Sequence, residues 1–313
     1  MNKLNQNFKS EKKHIKLFFF SYIMIFILYF VFVIFVENKN FQKLDLYVLN
    51  NIYKKYDPRL YKYFLLKNSK PNTVILGTYT ALTIDPSYFE KFNKKTLNLA
   101  FAGAKISEYY DFVNYIINRK KEINEIVIEL KHYSFTDIDF NSSKPVSISK
   151  NKLVSYFSLI NTKNYKFYFD FFYNYLTLNL LNNNLNEYDY YFQTGLRNYD
   201  LSKKNLFNKK PVEFNGKFSE IEYKKLIDIK LLCKKNDIKL ILFFGPISKT
   251  QINFQNKKFI NKEKKLIKRL KKDFEIIYDF KNFNIDIEDN FFDPIHYDYQ
   301  LAEIIINKIY EKN

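Results

Sequence analysis

Twenty consecutive residues, Leu17 to Val36, carry no formal charge and read LFFFSYIMIFILYFVFVIFV. This run constrains the chain more than any other feature, because about twenty residues at 1.5 Å rise cross a ~30 Å hydrocarbon core. It predicts a transmembrane helix. A cleaved signal peptide would have a shorter apolar region followed by small residues, whereas Val36 leads into Glu37-Asn38-Lys39-Asn40. Orientation follows from the flanks. Lys3, Lys9, Lys12, Lys13 and Lys16 precede the span against Glu11 alone, and Glu37, Lys39, Lys43 and Asp45 cancel after it. The positive-inside rule then makes residues 1–16 a cytoplasmic tail and 17–36 the span, with the rest of the chain outside the cytoplasm.

That topology changes how the charge reads. The 313 residues carry a formal net charge of +18, which by itself points to a polyanion such as nucleic acid. An exported domain rarely meets nucleic acid, so an anionic polymer of the cell surface is the better partner. Codon bias is an equal account, since Asn, Ile, Tyr and Phe abound while there are 5 Gly and no Trp. Aromatic residues at 19% exclude a disordered chain. The lone Cys233 excludes a disulfide scaffold, and its place on the apolar side of a helical pattern makes it a packing residue.

Residues 37–70 read as a juxtamembrane stalk with one short helix, ending at Lys70-Pro71-Asn72. Short apolar runs follow at Val74 to Gly77, Thr96 to Ala100, Ile126 to Leu130, Leu240 to Phe244 and Ile276 to Asp279. Near-continuous apolar character over four or five residues marks strands covered on both faces, as in a parallel sheet. Helical patterns separate them. Ser219-Glu220-Ile221-Glu222 is a capping box, and Asp85-Pro86 is an N-cap followed by proline at the first helical position. Leu301, Ile304, Ile305 and Ile309 line one face of a terminal helix. Lys257 to Lys272, with nine Lys or Arg, reads as a solvated helix that turns Phe259, Leu266, Ile267 and Leu270 inward. Residues 71–313 thus form an α/β domain, interrupted at about 149–211 by an aromatic, Asn-rich and mainly helical insertion.

Three short features lie at the carboxyl ends of expected strands, where open α/β sheets gather ligands. They are Gly77-Thr78-Tyr79-Thr80-Ala81, the turn from Asn98 to Gly103-Ala104, and Asp293-Pro294-Ile295-His296 before the last helix. In this order they resemble the SGNH hydrolase superfamily. Within it, the chain looks most like membrane-anchored bacterial proteins that act on cell-envelope polymers, with Asp57-Pro58-Arg59-Leu60-Tyr61-Lys62 shortly before the first strand. The resemblance covers about residues 57–309, apart from the insertion. It implies a three-layer α/β sandwich with a mainly parallel, flavodoxin-like sheet, no cofactor, and an acylated or anionic envelope glycan as ligand. It also implies a setting at the bacterial cytoplasmic membrane, beside a multi-pass acyltransferase.

By position, the resemblance implies that His296 acts as the base and Asp293 orients its imidazole. Gly77, Asn98 and Gly103 would border the oxyanion. At the nucleophile position stands Tyr79 in place of serine, and a phenol with pKa near 10 is a poor acyl nucleophile at neutral pH. Three readings stay open: Thr78 or Thr80 replaces the serine, Tyr79 itself is activated by His296, or the chain binds without turnover. Esterase, acyltransferase and degenerate glycan binder are therefore all expectations, with a non-enzymatic assembly protein as the alternative. The turn after the third strand also departs from the family, reading Glu129-Leu130-Lys131-His132-Tyr133. Here His132 reads as a surface or packed residue. Neither the histidines nor the cysteine have the spacing of a metal site.

Overall fold

The structure is a computed structural model. It describes residues 58–119, 122–137, 210, 211, 213, 216–255 and 257–311, together with eight positions between 18 and 31. Those eight, all within the apolar run, are helical and exposed. Among the described residues no helix is long and apolar enough to cross a membrane. Most of the expected anchor, the tail, the first part of the stalk and nearly all of the insertion lie outside the described residues.

Five strands form one sheet in the order β2-β1-β3-β4-β5. They are β1 (Thr73–Leu76), β2 (Thr96–Asn98), β3 (Glu125–Leu130), β4 (Lys239–Phe244) and β5 (Ile277–Asp279). Every pairing is parallel, and β1, β2 and β3 are buried along their whole length, which is why those runs are largely apolar; β5, at the edge, is only partly buried. The order reverses between β1 and β3, the crevice where such sheets hold ligands.

One face of the sheet is covered by α1 (Pro58–Asn68), α2 (Ile106–Arg119), α3 (Glu220–Lys235) and α5 (Lys257–Asp273). Val74, Leu76, Ile126, Ile128, Leu242 and Phe244 of the strands meet Leu66, Val113, Leu226 and Leu270 of these helices in one core. The opposite face carries Ile75, Val127, Ile241 and Phe243, packed under the 3-10 helix Pro86–Phe92 and α6 (Tyr299–Tyr310). A short helix, α4 (Lys249–Phe254), follows β4.

Several local expectations are met and several are corrected. Cys233 is buried on α3, where burial pushes its thiol up to about 12. Phe259, Leu266, Ile267 and Leu270 are buried on α5. Asp85 caps Ser87 N at 2.8 Å, although the helix it starts is 3-10. Ile304 does not join the buried face of α6; Ile306 takes that place. The capping box is only half made. Ser219 caps Glu222 N, but the Glu222 carboxylate reaches Ser107 N at 2.7 Å and Ser107 Oγ at 3.0 Å, at the start of α2. The helix placed in the stalk is part of the domain. Leu66 of α1 lies in the core, Lys62 Nζ donates to Asn98 O at 2.7 Å, and Arg59 pairs with Glu108 above the Phe101 ring.

Candidate active site

The carboxyl ends of β1, β3 and β4 converge with the loop before α6. Asp293 and His296 meet there. Asp293 Oδ2 is 2.6 Å from His296 Nδ1, and Asp293 Oδ1 accepts from the amides of Ile295 at 2.8 Å and His296 at 2.9 Å. Burial works to raise the Asp293 pKa, but the imidazole and these amides outweigh it and hold the carboxyl below its ordinary value. The loop is itself pinned: Phe292 N donates to His296 O at 2.8 Å, and Ser248 N donates to Pro294 O at 3.0 Å.

Tyr79 stands against this dyad. Its ring meets the His296 ring edge-on with centroids 4.7 Å apart, and stacks on Tyr133 at 5.3 Å. The neighbouring threonines point elsewhere. Thr78 and Thr80 are fully buried; Thr78 accepts from the Tyr133 hydroxyl and Thr80 donates to Glu129. Of the side chains expected at this turn, the structure therefore brings Tyr79 to His296 and commits both threonines to the interior.

The expected oxyanion residues are placed as follows. Gly103 lies in the turn after β2 with φ 71°, a left-handed conformation that favours glycine. A Cβ at Gly77 would come within 2.3 Å of Ala81 Cβ, so the turn closes only over a glycine. Asn98 has a different task. It is buried, its Nδ2 donates to Ala81 O at 2.8 Å and Ile84 O at 2.9 Å, and its Oδ1 accepts from Ala100 N at 2.9 Å. Its side chain is thus spent on joining the nucleophile turn to β2.

Glu129 is the site residue that sequence reasoning missed. Fully buried at the end of β3, it accepts from Thr80 and from the Tyr297 hydroxyl at 3.3 Å, and lies 3.3 Å from Lys131 Nζ. Lys131 in turn donates to Gly245 O at 2.9 Å. A Cβ at Gly245 would fall 2.1 Å from Glu129 Oε1, so the glycine is what admits the carboxylate. The signal was visible as two charges, Glu129 and Lys131, at the carboxyl end of β3 after the apolar run Ile126 to Ile128. A buried charge persists only when paired.

Beside Tyr79 a narrow pocket opens between β4 and α5, with Lys131, His132, Tyr133, Phe244, Ile247 and Phe259 among its walls. His132 is buried, and its ring packs edge-on against Phe259 with centroids 4.6 Å apart. Burial lowers its pKa; Glu263 opposes that effect and Lys262 and Lys281 reinforce it, which leaves a neutral imidazole. Among the described residues no group of three or more His, Cys, Asp or Glu could hold a metal ion.

No family model matches the sequence, and no curated protein matches it. Among solved structures the chain is similar to a candidate acylhydrolase from Bacteroides fragilis. The two share 11% identity at a TM-score of 0.41, over 80% of this chain and 93% of that one. The α/β class rests on the sheet described above, not on this loose likeness.

Proposed function

We propose that the chain is a membrane-anchored, extracytoplasmic SGNH-like protein that binds an acylated envelope glycan without hydrolysing it. The observation that carries this reading is the turn after β1. Both threonine hydroxyls there are buried and engaged, and the Tyr79 ring occupies the approach to His296. A serine-type attack needs an alcohol within about 3 Å of the base, and at the position where the family carries that serine stands the ring of Tyr79, packed edge-on against His296. The apolar run Leu17 to Val36 supplies the anchor, and a multi-pass acyltransferase is the partner that would present acylated polymer to the domain.

The test is restoration. The purified natural chain is expected to show no His296-dependent hydrolysis of p-nitrophenyl acetate. Tyr79→Ser is expected to raise hydrolysis about tenfold or more above background, and Tyr79→Ser with His296→Ala to abolish the gain, because nucleophile and base act as a unit. Hydrolysis by the natural chain that disappears in His296→Ala overturns the reading. The contact between Tyr79 and His296 favours one second reading, in which the phenol itself takes the acyl group. Acylated Tyr79 detected by mass spectrometry after incubation with the ester would establish it.

A further inference from the structure

We propose that the outward sides of α3 and α5 form a docking surface for anionic phospholipid headgroups, on which the domain lies beside the bilayer that anchors it. The place of that bilayer rests on the membrane-anchored reading above; the charge pattern does not. The two helices run side by side on one face of the sheet. Arg269 of α5 reaches Glu220 of α3 at 2.6 Å and lies over the Tyr223 ring, and Lys230 of α3 donates to Asp273 O at 2.5 Å. Their exposed sides therefore form one surface. Lysines dominate it. Lys264, Lys265, Lys268 and Lys272 share the side of α5 turned away from buried Leu266 and Leu270, and Lys234 and Lys235 end α3 beside them. All six are exposed and make no ion pair among the described residues.

The acids of these helices have other partners: Glu220 has Arg269, Asp228 has Lys225, Glu263 has Lys281, and Asp273 accepts from the Tyr223 hydroxyl. Glu275 and Asp237, just past the helix ends, offset part of the excess. Lys264, Lys268 and Lys272 also repeat every four residues, a like-charge row that weakens a helix unless an anion meets it. Two features select a bilayer over a soluble polymer. Leu231 and Ile276 stand 58% and 59% exposed, and the contact of Lys230 with Asp273 puts both at the end that carries Lys234, Lys235 and Lys272. Apolar side chains among lysines suit the headgroup boundary, where they leave water, and add nothing toward a hydrophilic polymer. Reach is the second. The link of residues 37–57 extends to at most about 70 Å, and it enters α1, on the same face of the sheet as α3 and α5. A domain lying on that side keeps the carboxyl ends of the strands, with Asp293 and His296, at the flank of the membrane.

Lysine acetylation of the full chain in nanodiscs, read by mass spectrometry, tests the assignment. One set of discs is pure phosphatidylcholine and the other contains about one-third phosphatidylglycerol. The six lysines are expected to react about threefold or more slowly on the anionic discs, and Lys91, on the opposite face of the sheet, equally on both. Salt at about 0.5 M is expected to remove the difference. The variant with Lys264→Gln, Lys265→Gln, Lys268→Gln and Lys272→Gln is expected to leave Lys234 and Lys235 unprotected at an unchanged Tm, since its changes are confined to exposed positions. Equal reactivity on the two lipids, or protection that survives salt or the fourfold variant, overturns the proposal. So does stronger protection by sodium polyphosphate on phosphatidylcholine discs than by the anionic lipid, which would assign the surface to a soluble polymer. Flotation with pure phosphatidylcholine vesicles reports the anchor separately. A chain that fails to float there overturns the anchored reading; the docking surface then stands if the chain floats with phosphatidylglycerol vesicles and the fourfold variant does not, and falls otherwise.

Discussion

At the scale of single residues, the site is organised by two carboxylates with opposite roles. Glu129 is enclosed and tied to Thr80, Tyr297 and Lys131, so it locks the turn after β1 to the loop of the dyad. Asp293 is partly open and aligns His296. Its pKa is depressed in the folded chain, so its contribution to stability is present above the ordinary carboxylate pKa and is lost as the pH falls through the lower, folded value. Asp293→Asn removes that contribution. Urea midpoints of the natural chain and of this variant are expected to differ most above about pH 4 and to converge as the pH falls below it; a gap that widens toward acid would contradict the assigned direction. Asp293 and His296 were legible through the resemblance to the SGNH superfamily, which implies an aspartate three residues before a histidine ahead of the last helix. Glu129 was not, because a charge inside a strand says nothing about its partners until the neighbouring chains are in place.

At the scale of elements, connections that look local in the sequence turn out to be shared. Glu222 lies in the first turn of one helix and caps another, since α2 and α3 pack side by side and the Ser219 amide that a full capping box would use donates to Phe135 O at 2.7 Å. Asn98 ends β2 and fastens the segment between Ala81 and Ile84. Asn98→Ala takes its donor from Ile84 O and its acceptor from Ala100 N, and leaves Ala81 O with the bond from Ile84 N alone. The expected loss is about 3 kcal/mol, read as a lower urea midpoint at unchanged slope. The effect falls on the whole fold, because these groups join strand, turn and 3-10 helix in a single hydrogen-bonded corner. A loss below about 0.5 kcal/mol would mean that water replaces the amide, and the corner would be looser than its geometry indicates.

At the scale of the whole molecule, the domain begins earlier than its first strand. Leu66 of α1 is in the core, and Lys62 and Arg59 reach Asn98 O and Glu108. Losing a buried leucine alone costs about 2–5 kcal/mol, a large share of the ~5–15 kcal/mol that holds a typical domain together. A chain starting at residue 58 is therefore expected to melt cooperatively, and one starting at residue 71 to melt far lower or not to fold, as followed by far-UV circular dichroism. The sequence by itself determined the five strands, the alternation of strand and helix and the buried face of α5, while the Asp293-His296 pair came from the resemblance to the SGNH superfamily; on α3 the periodicity misplaced Ile221, which is exposed. The strands and the α5 face are written in local periodicity. Only the tertiary structure decided that α1 belongs to the domain, that Thr78 and Thr80 turn inward while Tyr79 meets His296, and that Glu129 and His132 lie buried at the end of β3. Those outcomes depend on contacts between segments distant in the chain, where packing and the pairing of buried polar groups, not local preference, set the orientation of each side chain.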